Sequence, residues 1–239
     1  MEIYIEESYD KLSGKSAGII ADLIKQKPEC VLGLATGSTA LGTYKLLIKK
    51  YQAGEIKFSL ATTFNLDDYV GLSHENSQSY HYFMKVNLFD GIDIDIKKAF
   101  FPNDFGPNYK GYDKKIEEAG GIDLQILGIG RNGHIGFNEP GSSFSSKTRE
   151  VKLSQTTIED NARFFNNIKE VPITAATAGM DTIMRAKKII LLANGENKSQ
   201  AIFDALYGPV SEKVPASILQ RHKNVIVILD KEAASKIPK

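Results

Sequence analysis

Apolar and polar positions along this chain follow two periods that take turns. Residues 2–6 alternate polar and apolar side chains, which predicts a half-exposed strand. Ser8 follows as a helix-capping residue. Leu12, Ile19, Ile20, Leu23 and Ile24 then recur near a helical period until Pro28. Cys30 through Ala35 is apolar throughout, the pattern of a parallel strand covered on both faces. Leu41, Tyr44, Leu47, Ile48 and Tyr51 make the next helical stripe, and Leu60 through Leu66 the next strand. A helix is expected from about Ser77 to Phe89. Residues 91–110, with Pro102 and Pro107, read as an irregular connection. A short helix over 112–118 ends at Gly120-Gly121, a C-cap signal. The run from Leu124 is again a buried strand. Beyond Pro140 come a serine-rich loop, a short strand at 151–153, and helices over 155–165 and Ala175–Met184. Lys188–Ala193 and Val225–Leu229 are the last buried strands. A helix carrying Ala201, Ile202, Ala205 and Leu206 lies between them.

Strands that alternate with helices predict an α/β fold. The expected form is doubly wound: a mostly parallel sheet with helices on both faces, a Rossmann-like three-layer sandwich. The chain has 239 residues and shows no repeat, linker or compositional break, so one domain spanning 1–239 is expected. Composition changes this picture little. The apolar fraction is 42%, the charged fraction 25% and the formal net charge +1. Near-neutral charge gives no reason to expect nucleic acid or an anionic membrane as partner. No apolar run approaches the ~20 residues that span a bilayer. The first residues are acidic and alternating, unlike a signal peptide. The one cysteine, Cys30, reads as a core thiol. A reducing, cytoplasmic setting is expected.

Candidate chemistry concentrates where strands end. Thr36-Gly37-Ser38-Thr39 lies between a strand and a helix. Its N–H groups, the helix start and the hydroxyls could cradle an anion, although a plain turn capped by Thr39 fits too. It is no Walker loop, because no Gly-Lys-Ser/Thr follows. Asp67-Asp68 puts two acids at a strand end, either for chemistry or as a solvated turn. Gly128-Ile129-Gly130-Arg131-Asn132-Gly133 has the spacing of a dinucleotide fingerprint. Asn138-Glu139-Pro140 and a serine-rich loop follow it instead of a helix, so a nicotinamide cofactor is not expected. His134 and Glu139 share the same loop. A metal reading would need a third ligand, and no His-x-x-x-His or Cys-x-x-Cys is present. A proton-moving histidine placed by Glu139 and Asn132 is the alternative to a merely structural one. Arg163 and Lys198 lie near helix starts and could neutralise a phosphate. His81, among aromatics, reads as packing, and His74 sits in a polar loop with no partner pattern. Phosphate, carboxylate base and proton-shuttling histidine together suit isomerase-type chemistry on a sugar phosphate.

Four stretches together carry a resemblance: Leu34 through Thr39, Phe64 through Leu72, Asn76 through Tyr80, and Gly128 through Pro140. In order and content they resemble the glucosamine-6-phosphate deaminase (isomerising) family. The resemblance implies conversion of glucosamine 6-phosphate and water to fructose 6-phosphate and ammonia. The enzyme class would be a hydrolase of an amino-sugar C–N bond that also isomerises, working in amino-sugar catabolism. It implies Asp67 as enolisation base, His134 as the ring-opening group, and Glu139 and Asn132 as the groups that orient it. Gly37, Ser38, Thr39, Arg163 and Lys198 match phosphate-binding positions, and Asp68 stands among the substrate-binding residues where the family usually has glutamate. No metal or organic cofactor is implied. The partner would be a small amino-sugar phosphate, and the state a monomer or small homo-oligomer. Some relatives have aspartate where this chain has Asn132, and an amide carries no charge to raise the histidine's pKa. Longer members are hexamers activated by N-acetylglucosamine 6-phosphate. Arg149 and Ser142 match part of their allosteric site, Val151 replaces a lysine there, and the C-terminal extension is missing, so weak or absent activation is expected. The region 142–165 is the expected lid.

Two alternatives share the architecture. A 6-phosphogluconolactonase would have no use for a base aimed at a C2 proton. A sugar-phosphate-sensing domain would come with a DNA-binding module, and a chain that opens directly on its first strand is expected to leave no room for one.

Overall fold

The computed structural model describes residues 1–155, 158–159, 165 and 167–238. The apolar runs become the inner strands of a seven-stranded sheet. In chain order these strands are β1 (Glu2–Glu6), β2 (Val31–Leu34), β3 (Thr62–Asn65), β5 (Ala99–Phe100), β6 (Leu124–Leu127), β9 (Ile189–Ala193) and β10 (Val225–Asp230). Their order across the sheet is β1-β10-β9-β6-β2-β3-β5, and every pairing is parallel. Strands β2, β6, β9 and β10 are buried at every position, because helices cover both faces. Edge strand β1 instead alternates and carries glutamate at both ends.

Gln125 is a buried polar residue in the middle of the sheet. Its amide Nε2 donates to the Ile126 carbonyl at 2.9 Å. Gly33 on β2 makes the room, since a Cβ there would fall 2.1 Å from Gln125 Oε1. Cys30 is buried at the start of β2, and burial pushes its thiol up to about 12, so it is inert core.

The covering helices are α1 (Tyr9–Gln26), α2 (Ser38–Gln52), α3 (Tyr80–Asn87), α4 (Lys110–Glu118), α5 (Met180–Met184) and α6 (Ser199–Tyr207). Ser8 caps α1 by accepting from the Lys11 N–H at 3.4 Å. Gly120 and Gly121 end α4 with positive φ, their N–H groups donating to the Glu117 and Ile116 carbonyls.

Two expectations differ from the structure. The stretch 175–184 is not one helix: it divides into strand β8 (Thr174–Thr177) and short α5. Alanine favours helix only weakly, and pairing on both sides overrides it. Asp67-Asp68-Tyr69 does not close β3 but forms its own strand, β4 (Asp67–Tyr69). With β8 and β7 (Arg149–Lys152) it makes a small antiparallel sheet in the order β4-β8-β7. The expected helix over 155–165 lies largely outside the described residues.

Candidate active site

The large sheet reverses its winding between β2 and β6. From β2 the chain runs outward through β3 and β5, and from β6 it runs the other way through β9 and β10. A crevice opens at the carboxyl ends of strands at such a reversal, and ligands collect there. A cavity of about 850 Å³ occupies this place. It joins the loop after β2, the loop after β6, β4, the turn before α6 and the residues leading into α3.

The first wall is the stretch 36–39, the expected anion cradle. Gly37 takes φ +109°, open to glycine and costly to other residues, and turns the chain from β2 into the 15-residue helix α2. The opening N–H groups of α2 therefore face the cavity end of the sheet. Tyr9 on α1 fixes this turn from outside: its hydroxyl donates to the Ser38 carbonyl at 2.8 Å and accepts from the Gly42 N–H at 2.7 Å. The Thr39 hydroxyl is committed elsewhere, donating to Asn194 Oδ1 at 2.6 Å, so Thr39 offers its N–H rather than its hydroxyl. Lys198 lines the same cavity from the turn Glu196–Lys198. Asp230 holds that turn by accepting from the Gly195 N–H at 3.0 Å. Arg163 lies outside the described residues.

The second wall is the loop after β6. Asn132 is its hub. The amide Nδ2 donates to Glu139 Oε2 at 2.7 Å, which turns Oδ1 toward His134. His134 Nδ1 lies 2.7 Å from that oxygen, and the His134 N–H donates to it at 3.2 Å. An amide oxygen only accepts, so Nδ1 carries the proton, and in the neutral ring Nε2 bears the lone pair. Glu139 reaches His134 Nδ1 only at 3.7 Å, so it acts on the histidine chiefly through Asn132. Gly130 lies under the imidazole, where a Cβ would sit 2.1 Å from His134 Cε1. Buried Asn138 pins the loop by donating to the Ile135 and Ala178 carbonyls, while Arg149 Nη1 donates to its Oδ1 at 2.9 Å.

The third wall is β4. Pleating sends its two acids to opposite sides. Asp67 faces the cavity, while Asp68 is fully buried behind it and does not line it. Among the described residues no donor reaches the Asp67 carboxylate. Burial and then the neighbouring Asp68 push its pKa up to about 8. Asp67 pairs with Thr177 of β8, and the Thr177 hydroxyl accepts from the Phe137 N–H at 3.1 Å. That contact ties the base strand to the histidine loop.

The structure thus gathers Gly37, Ser38, Thr39, Asp67, His134 and Lys198 around one cavity, with Asn132 and Glu139 behind His134. Asp68, expected among the substrate-binding residues, does not line the cavity: its carboxylate accepts from the Tyr69 and Tyr80 N–H groups at 2.7 and 2.8 Å. His81 is more than packing and His74 is not without a partner, since the two rings stack at 3.5 Å and His81 Nδ1 lies 2.6 Å from Asp68 Oδ2. Sequence reasoning gave no role to Tyr69, Phe137 or Arg131, which also line the cavity. Their apolar or solvated letters carry no signal until the topology brings them there.

A glucosamine-6-phosphate deaminase of Thermoanaerobacter sp. (strain X514) is 52% identical over 242 residues, covering 100% of this chain and 96% of the relative. One of Clostridium botulinum (strain Loch Maree / Type A3) is 51% identical over 241 residues, covering 99% of each. The solved structure of a monomeric glucosamine-6-phosphate deaminase superposes with a TM-score of 0.94 at 45% identity, over 98% of this chain and 99% of that one. A 6-phosphogluconolactonase from Trypanosoma brucei, at 21% identity and a TM-score of 0.79 over 99% and 98% of the two chains, shares the fold. The model of the glucosamine-6-phosphate isomerases/6-phosphogluconolactonase family matches residues 5–228, and the chain belongs to that family.

Proposed function

We propose that this protein is a glucosamine-6-phosphate deaminase, converting glucosamine 6-phosphate and water to fructose 6-phosphate and ammonia. The observation that carries the reading is the separation of two proton-moving groups around one cavity: His134, whose Nδ1 is held by Asn132, and the buried carboxylate of Asp67. One histidine suffices to open a ring. A second, separate base is needed to move a proton between neighbouring carbons. Close likeness to named deaminases over the full chain supports the same substrate.

The roles follow from position. The α2 N-terminus at Gly37–Thr39 and the Lys198 ammonium hold the phosphate. His134 takes the O1 proton at Nε2 and delivers it to O5, opening the pyranose. Asn132 and Glu139 keep Nδ1 protonated while this happens. Asp67 removes the C2 proton, and the electron pair runs through C2–C1 to the aldehyde oxygen. Returning that proton to C1 leaves an imine at C2, and water replaces nitrogen, releasing ammonia. A carboxylate pushed up to about 8 is a stronger base than an ordinary one, which suits abstraction from carbon. The solved deaminase relative, 45% identical, is described as monomeric. A monomer is therefore the state we propose.

The test is ammonia release from glucosamine 6-phosphate. Asp67→Asn is expected to lower kcat by about a thousand-fold or more, and His134→Gln by about a hundred-fold. Full activity in both variants would sink the assignment of roles. Lactone hydrolysis without ammonia release would favour the lactonase branch of the family.

A further inference from the structure

Behind Asp67 lies a charged arrangement that the proposed chemistry does not use. Asp68 is 1% exposed and has no lysine or arginine partner among the described residues. Four donors converge on its two oxygens: the N–H groups of Tyr69, Tyr80 and His81, and His81 Nδ1. That set fits an acceptor-only, ionised carboxylate. The far side of the same imidazole meets a second acid, with Nε2 3.1 Å from Asp104 Oδ1. A neutral imidazole has one N–H, yet both ring nitrogens of His81 face carboxylate oxygens. Only the imidazolium donates to both.

The ring is also clamped on its faces. Phe101 stacks on one at 3.6 Å and His74 on the other at 3.5 Å. Asp104 is fixed in turn by the Phe101 N–H at 2.8 Å. The titratable groups facing His81 are thus Asp68 from β4, Asp104 from the turn Pro102–Phe105, and His74 from the loop before α3. On its own helix Lys85 is turned to Asp90, at 2.9 Å. Burial alone would lower the His81 pKa; hydrogen bonds to Asp104 and Asp68, and their charges, outweigh it and raise it above the ordinary histidine value. His74, His81 and Asp104 also bring ligand atoms within 4.8 Å of one another. Parallel rings point their lone pairs side by side rather than at one ion, so stacking, not a shared metal, accounts for them.

We propose that His81 is a positioning residue for the deamination chemistry: as an imidazolium held between Asp68 and Asp104, it offsets the Asp68 charge behind Asp67 and so lowers the pH at which the base ionises. This rests on the base role proposed for Asp67. Asp68 repels charge on Asp67, and His81 is the cation that moderates this repulsion from the side away from substrate. Removing it leaves Asp67 beside an unbalanced anion. The proton then leaves Asp67 only at higher pH.

The experiment is a pH profile of kcat/KM for ammonia release by wild type and His81→Gln, with nitrogen NMR of the His81 ring. In His81→Gln the acid limb is expected to move up by about half to one pH unit, so that below the limb kcat/KM falls about three- to ten-fold while the alkaline plateau is retained. In wild type both ring nitrogens are expected to carry protons at pH 7, and Asp104→Asn lowers the pH at which His81 loses one. A folded His81→Gln enzyme with an unmoved acid limb overturns the proposal, as does a neutral His81 ring at pH 7. If His81→Gln does not fold, the NMR arms decide alone. Wild type that releases no ammonia sinks the parent reading instead, and the ring's protonation is still measured.

Discussion

Asp67 is the residue at which stability and chemistry pull in opposite directions. Its carboxylate is buried at the cavity and meets no donor among the described residues. Unfolded, it titrates near 3.8; folded, at about 8. Between these values the folded protein retains a proton that the unfolded chain has released. The contribution of this group to stability is therefore greatest below pH 3.8 and is lost as pH rises through 8. Asp67→Asn removes the charge. We expect it to stabilise the fold by about 1–3 kcal/mol at pH 8.5, a rise of several degrees in Tm, with a much smaller gain at pH 5. Thermal melts at both values check this, and equal gains would remove the electrostatic explanation. The neighbouring letters show what sequence can and cannot tell. Asp67 and Asp68 look alike in the chain, and the resemblance to a family separates their roles. Only strand pleating shows why one meets the cavity and the other meets His81.

At the scale of elements, the loop after β6 depends on what it lacks. His134 stands over Gly130, so the missing side chain sets the ring's height as firmly as Asn132 sets its direction. Gly130→Ala would drive a methyl into the imidazole. The expected result is a loss of kcat by about ten- to a hundred-fold with Tm changed by no more than a few degrees. Steady-state kinetics beside a melting curve would test it, and unaltered kcat would show that the ring has another place to go. This loop and the cradle after β2 were legible in the sequence because glycine, hydroxyl and amide residues crowd the ends of apolar runs. The small sheet β4-β8-β7 was not. Its strands are three or four residues long, and Thr174-Ala175-Ala176-Thr177 has no period that distinguishes strand from helix. The pairing that decides the matter is made with residues 149–152 and 67–69, far away in sequence.

At the scale of the molecule, the parallel sheet brings residues from Gly37 to Lys198 to one cavity. Arg149 already has partners within the chain in Asn138 and Ser142, at 2.9 and 3.4 Å. We therefore expect one species of about the chain mass, 26.4 kDa, and a hyperbolic rate curve unaffected by N-acetylglucosamine 6-phosphate. Sedimentation and initial rates check this; a hexamer, or a sigmoidal curve made hyperbolic by the N-acetyl sugar phosphate, would refute it. The general plan of strands and helices could be read from hydrophobic periods, but not the order in which strands neighbour one another. That order is what makes the loops after β2 and β6 face each other. The Tyr9 hydroxyl adds a last consequence. By bracing Ser38 and Gly42 from α1, it gives the anion cradle a handle outside the cavity. If the cradle holds phosphate as proposed, drift on an outer helix can retune that grip while every residue lining the cavity stays the same.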